Sequence, residues 1–104
     1  MKQNKVLSLL GLAARSRNVV SGEFATENSV KEGKAKLVMV AEDASDNTKK
    51  LFTNKCTYYH VPLVVYGEKE TLGHAMGKEV RSSLAITDSG FAKALMEQME
   101  TVWR

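Results

Sequence analysis

The side chains best placed to do chemistry in this sequence are Glu42 and Asp43, which follow the apolar run Leu37-Val-Met-Val-Ala41 without a spacer. A short apolar run with β-branched Val38 and Val40 reads as a strand buried on both faces, and α/β proteins commonly hold ligands beyond the carboxyl ends of such strands. Two adjacent carboxylates there could form a metal site or an acid/base pair. They could equally be an acidic cluster at a helix N-terminus, since Ser45 is a good N-cap and Asp46 favours the helix dipole, and this reading carries more weight. Cys56 and His60, four apart on one helix, could share a face, but only His74 could join them as a zinc ligand, through folding. A core thiol and a surface imidazole account for them better. The sequence has no Walker-type phosphate loop, no G-x-G-x-x-G after a strand and no nucleophile elbow. No catalytic residue, metal or cofactor is therefore assigned, and the chain is read as non-enzymatic.

A strand covered on both faces needs helices on either side, and the flanking sequence supplies them. A first helix is expected from about Gln3 to Arg15, with Val6, Leu10 and Ala13 as its inward stripe. Lys2 and Lys5 ahead of this apolar stretch imitate a secretory signal, yet Lys5, Ser8 and Arg15 fall off the stripe, which favours an amphipathic helix. Gly11 within it costs about 1 kcal/mol relative to Ala. After the basic turn Arg15-Ser-Arg-Asn18, Val19 and Val20 suggest a very short strand, and Ser21 an N-cap for a second helix carrying Phe24, Ala25 and Val30 as its apolar residues. Gly33 ends that helix. Leu51, Phe52, Cys56 and Tyr59 mark one face of a third helix, stopped by Pro62, and Leu63-Val-Val-Tyr66 reads as another buried strand. Strand, helix and strand in that order predict a parallel pair with a right-handed crossover. Gly67 to Glu70 reads as a polar loop, Thr71 to Met76 as a short helix, and Val80 to Thr87 as a last strand. Asp88 or Ser89 then caps a final helix with Phe91, Leu95, Met99 and Val102 inward. The expected fold is α/β, a three-layer α/β/α sandwich on a small mixed, mostly buried sheet, as a single domain over residues 1–104.

Composition agrees with a globular domain: 104 residues, 43% hydrophobic and 26% charged, suffice for one core without disulfides. Fifteen Lys and Arg against twelve Asp and Glu give a net charge of +3, which permits an anionic partner without demanding one. Cys56 is the single cysteine, pointing to a reducing compartment and hence to the cytoplasm. No run approaches the roughly 18 apolar residues that span a bilayer, so no membrane association is expected.

Three stretches carry a resemblance: Gly33-Lys-Ala-Lys-Leu-Val-Met-Val-Ala-Glu-Asp-Ala-Ser45, Tyr59-His-Val-Pro-Leu63 and Leu72-Gly-His-Ala-Met-Gly-Lys-Glu79. With echoes at Gly11 to Arg15, Val20 to Glu23, Asn47 to Lys50, Cys56 to Tyr59 and Asp88 to Ala92, essentially the whole chain resembles the ribosomal protein L7Ae superfamily. The resemblance implies the same α/β/α sandwich and a monomeric protein that binds structured RNA, ribosomal or kink-turn-like, in the setting of the ribosome or translation. It implies contact through one end of the sandwich. Gly22 and Glu23 would open a helix N-terminus to a phosphate, Lys69 and the helix begun by Leu72-Gly73 would lie beside it, and Lys78, Glu79, Val80 and Arg81 would meet an unstacked base. Ser45 falls near the same end.

Relatives that read kink-turns carry Gly-x-Asn-Glu or a Lys-Gln equivalent, with a Lys one turn on. By this resemblance Phe24 and Ala25 occupy the pair, Asn28 replaces the Lys, and Glu32 stands where an Arg is common. Ala25 cannot hydrogen-bond a base, so what carries over is an affinity for folded RNA more than purine-edge reading. Phe24 is read as core, with base stacking as the alternative, and Tyr58 and Tyr59 as the edge of the core. Arg15, Arg17, Lys34 and Lys36 either steer RNA by charge or form a solvated basic face. The rival function is a protein–protein adaptor of the ribosome or transcription machinery that keeps the sandwich without the RNA.

Overall fold

The computed structural model describes residues 5–103, with side chains to residue 99. The strands are β1 (Val19–Ser21), β2 (Leu37–Val40), β3 (Leu63–Val65) and β4 (Ser83–Ile86). The helices are α1 (Lys5–Arg15), α2 (Glu23–Lys31), α3 (Asp46–Tyr59), α4 (Lys69–Ala75) and α5 (Ser89–Trp103). They build an α/β/α sandwich on one four-stranded sheet of order β1-β4-β2-β3. β2 and β3 run parallel across the α3 connection, with Met39 opposite Val64, while β4 is antiparallel to both β1 and β2. The sheet is therefore mixed, and its βαβ unit is the one expected. α2 and α3 pack on each other against the sheet, and α1 packs on α4 and α5 in the other helical layer.

The two central strands show why they read as unbroken apolar runs. Every residue of β2 and β4 is buried, covered by helices on both faces, whereas β3, expected to be buried as well, lies at the edge of the sheet and is only partly covered, with Val65 38% exposed. Phe52 from α3, Leu10 from α1 and Leu95 from α5 close the core around them. The α1 stripe Val6, Leu10 and Ala13 is buried as expected, and Gly11 joins it. A Cβ at Gly11 would stand 2.9 Å from the carbonyl oxygen of Ala75, so its low helix propensity is offset by the close approach of α4. Among the described residues, no helix is long and apolar enough to cross a membrane.

Several local expectations give way to tertiary structure. Ser21 does not cap α2: it ends β1, and Gly22 is the N-cap, with φ 95° and no side-chain hydrogen bond. α2 turns Thr26, Ser29 and Val30 inward, leaving Phe24 79% exposed, because residues 26, 29 and 30 share a helical face that Phe24 opposes. Phe24 is thus no core residue, and the small inward side chains let α2 lie against β4. α3 ends at Tyr59, before Pro62 is reached, with His60 in the left-handed conformation at φ 61°. Tyr58 is 75% exposed and meets Tyr59 edge-on, at 4.8 Å between ring centres, so this pair lies largely outside the core. α4 starts at Lys69, inside the expected polar loop, and β4 starts at Ser83, since the backbone N–H of Arg81 is already donated to the Lys69 carbonyl at 3.0 Å. The expected inward position of Val102 lies outside the described side chains.

The end of α1 is a left-handed turn of the Schellman type. Arg17 N–H donates to the Ala14 carbonyl at 3.1 Å and Asn18 N–H to that of Ala13 at 2.8 Å, with Arg17 at φ 65°. Glycine is the usual occupant of that position. A long side chain there costs about 1 kcal/mol or more in backbone strain.

Candidate nucleic-acid interface

Topology alone gathers the expected segments. β1, β2 and β3 all finish at the end of the sheet where β4 begins, as the pairings Ser21 with Leu84, Val40 with Ser83 and Val40 with Val65 fix. α2, α3 and α4 each follow one of those strand ends, so their N-termini open on this side, and the loop of residues 76–82 enters β4 from it.

Gly22 sits at φ 95° and ψ 154°, a region that is essentially glycine-only. Its N–H donates to the Ser83 carbonyl at 3.0 Å, and nothing stands within 4 Å of where a Cβ would lie. The first N–H groups of any helix lack intrahelical acceptors. α3 covers one of its own, because Ser45 Oγ accepts from Thr48 N–H at 3.1 Å, whereas α2 has no such side-chain cap. Ser45 Oγ also donates to Thr48 Oγ1 at 3.0 Å, and Thr48 Oγ1 donates to Glu23 Oε1 at 3.4 Å, tying the starts of α3 and α2 together.

A second set of bonds locks α4 and the following loop onto β1. Asp43 Oδ1 accepts from Lys69 N–H at 2.8 Å, so this carboxylate caps a helix 26 positions away and not the one that follows it. Arg81 Nε donates to Ser21 Oγ at 3.0 Å and its Nη1 to the Val80 carbonyl at 2.7 Å. Gly73 lies against the loop so closely that a Cβ would be 2.7 Å from the Glu79 carbonyl oxygen, and Lys78 N–H donates to the Gly73 carbonyl at 2.8 Å. Asp43, Lys69, Arg81, Ser21 and Gly22 therefore form one connected edge. Lys78, Glu79 and Val80 project from it, with Val80 49% exposed.

The edge carries Lys69, Lys78 and Arg81 but also Glu23, Glu42, Asp43 and Glu79, so it is not a uniformly basic patch. Two of those acids are engaged locally, Asp43 on the α4 start and Glu23 on Thr48. Asn28 lies further along α2 and is partly buried. Lys34 and Lys36 are not brought here: Lys36 N–H meets the Ile86 carbonyl at the opposite end of the sheet, and Lys34 pairs with Glu32 at 3.4 Å. Arg15 is exposed at the end of α1, and Arg17 lies beside the outer strand β1.

Among the described residues, no group of three or more His, Cys, Asp or Glu could hold a metal. Burial pushes the Cys56 thiol up to about 11, which keeps it protonated and poorly nucleophilic near neutrality. The links from Asp43 to Lys69 and from Ser21 to Arg81 span 26 and 60 positions, and no local pattern announces them. The Thr48 contact was half-signalled by the spacing Ser45-x-x-Thr48, which resembles a capping box.

Comparison with known proteins bears on this edge. The model of the ribosomal protein L7Ae/L30e/S12e/Gadd45 family matches residues 4–96. The chain belongs to that family. It is 47% identical over 92 residues to the RNA-binding protein YlxQ of Bacillus subtilis (strain 168), covering 88% of this chain and 92% of the relative. It is 39% identical over 98 residues to the RNA-binding protein YlxQ of Enterococcus faecium, covering 94% of each. Among solved structures, a protein of unknown function from Bacillus halodurans C superposes with a TM-score of 0.91 at 39% identity, over 94% of this chain and 99% of that one. The Giardia lamblia 15.5kD RNA binding protein shares the fold, with a TM-score of 0.78 at 24% identity over 98% and 91% of the two chains. The L7Ae-family fold thus accounts for the whole described sandwich.

Proposed function

We propose that this L7Ae-family chain is a non-enzymatic binder of structured RNA, acting as a single-domain monomer in the cytoplasm. The observation that carries the reading is the bonding of Arg81 to Ser21, which sets the 78–81 loop beside the open, uncapped start of α2. A phosphate at that start would receive N–H groups from the first turn and charge from Lys69, Lys78 and Arg81. Phe24, exposed on the first turn of α2, offers a ring to an unstacked base, and Val80 offers an apolar contact from the facing loop. Two close relatives carry the name RNA-binding protein, which supports the same partner. With Phe24 and Ala25 where a purine-reading pair would stand, the RNA is ribosomal or kink-turn-like in shape and is held more by its backbone than by base edges.

Binding by filter retention across a salt series tests this. Three phosphate contacts predict a slope of log K on log salt of about −2 to −3, or about a 30-fold loss between roughly 50 and 200 mM. A flat response overturns the reading. A protein–protein adaptor is the second reading, favoured by the exposure of Phe24 and Val80 on an edge whose acids offset its bases. It predicts that Lys69→Glu and Lys78→Glu leave function intact, whereas RNA binding predicts that both impair it.

A further inference from the structure

We propose that a cleft on the outer side of β1 is a second phosphate-binding subsite, in which Arg17 and Lys78 hold the RNA backbone where it runs on past the Gly22 edge. This deepens the RNA-binding reading and rests on it. The cleft measures about 240 Å³ and is lined by Ala14, Arg17, Val19, Ser21, Met76 and Lys78. It joins the interface directly, because Ser21, one of its walls, is the residue whose Oγ receives Arg81.

Three features point to an anion. Arg17 holds the left-handed position of the α1 turn, where glycine would fit without strain, and strained non-glycine residues of this kind cluster at ligand sites. Among the described residues, neither Arg17 nor Lys78 has a carboxylate within ion-pairing distance, a state they share with most of the chain's cations but which here leaves two positive charges on the walls of one cleft. The third feature is backbone. Asn18 accepts from Thr87 and Gly22 donates to Ser83, so by the alternation of an antiparallel ladder Val19 and Ser21 turn both N–H and C=O away from β4 along the outer edge of the sheet, where the N–H groups can donate to a ligand that the cations hold. Two cations on one small cleft beside the interface suit a phosphate, with the outward N–H groups as additional donors. β1 is only three residues long, a poor template for an added peptide strand.

The test uses Arg17→Gly and Lys78→Gln in the full chain, with a kink-turn hairpin RNA and a plain duplex RNA of equal length as probes. Arg17→Gly removes the charge and relieves the backbone, so its Tm should stay level or rise by about 4 °C. Its affinity for both RNAs should nevertheless fall by the same factor, and its salt slope should flatten by about 0.7 to 0.9. Lys78, which stands between the α2 start and the cleft, serves both sites, so Lys78→Gln should flatten the slope under either reading and the double variant by about twice as much; the subsite itself is judged on Arg17→Gly. An Arg17→Gly chain with the wild-type affinity and slope overturns the subsite while leaving the main interface standing. Polyglutamate binding that is lost in Arg17→Gly, with RNA binding unmoved, gives the cleft to an acidic protein segment and also overturns it. A wild-type chain that binds neither RNA overturns the parent reading and the subsite together.

Discussion

Asp43 offers the sharpest separation of charge from architecture. Its Oδ1 accepts the Lys69 N–H at 2.8 Å and so caps α4, a helix of 7 residues that is too short to persist without tertiary support. Asp43→Ala removes a cap contributing about 1 kcal/mol and a charge–dipole interaction of about 0.3 kcal/mol, the lower end because the site is exposed. The expected loss is about 1 to 1.5 kcal/mol, or about 0.5 to 1 M in the urea midpoint. Asp43→Asn keeps an acceptor oxygen and should lose only about 0.3 kcal/mol. RNA affinity supplies an independent sign. Removing a carboxylate from a phosphate-binding edge should, by Coulomb's law alone, strengthen binding. Yet the Lys69 carbonyl holds the Arg81 N–H, so loosening the α4 start also loosens the loop, and Asp43→Ala should bind more weakly while Asp43→Asn binds at least as well as wild type. Urea melts and RNA titrations of the same preparations read both quantities. An Asp43→Ala variant as stable as wild type, or one with tightened RNA binding, refutes the bracing role.

Gly73→Ala drives a Cβ into the Glu79 backbone and should cost about 1 to 3 kcal/mol by thermal melting, with weakened RNA binding as the loop shifts. Phe24→Ala, on an exposed side chain, should change stability by no more than about 0.5 kcal/mol, while RNA affinity drops by about 1 to 3 kcal/mol if the ring stacks on a base. Cys56 should resist thiol reagents at neutral pH in the folded chain and react on unfolding. Its pKa rises from 9.0 to about 11 on folding, so the unfolded chain loses this proton first and stability should fall as pH climbs from 9 to 11. Cys56→Ala should remove that part of the slope in pH-dependent urea melts.

What the sequence disclosed followed from how local each signal was. The strand at Leu37, the Ser45 cap and the α1 stripe each depend on residues a few positions apart, and the structure contains all three. Phe24 misled because hydrophobicity is a prior for burial, and the inward face of α2 is built from small residues that carry little hydrophobic signal. The boundaries of α4 and β4 moved for a different reason. Each is set by a partner remote in sequence, Asp43 for one and the Lys69 carbonyl for the other. The interface segments were named through family resemblance, and the arrangement that joins them is a product of topology. Three strands ending at the same side of the sheet must deliver three helix starts there, whatever the loop sequences are.

The most direct measurement of the proposed interface is an amide chemical-shift map of the isotope-labelled chain titrated with a structured RNA at low salt. The account predicts the largest changes at Gly22, Phe24, Lys69 and Arg81, extending to Arg17 and Val19, with Lys34, Lys36 and the Tyr58–Tyr59 pair unmoved. Changes centred on Lys34 and Lys36, or spread evenly over the surface, would contradict it.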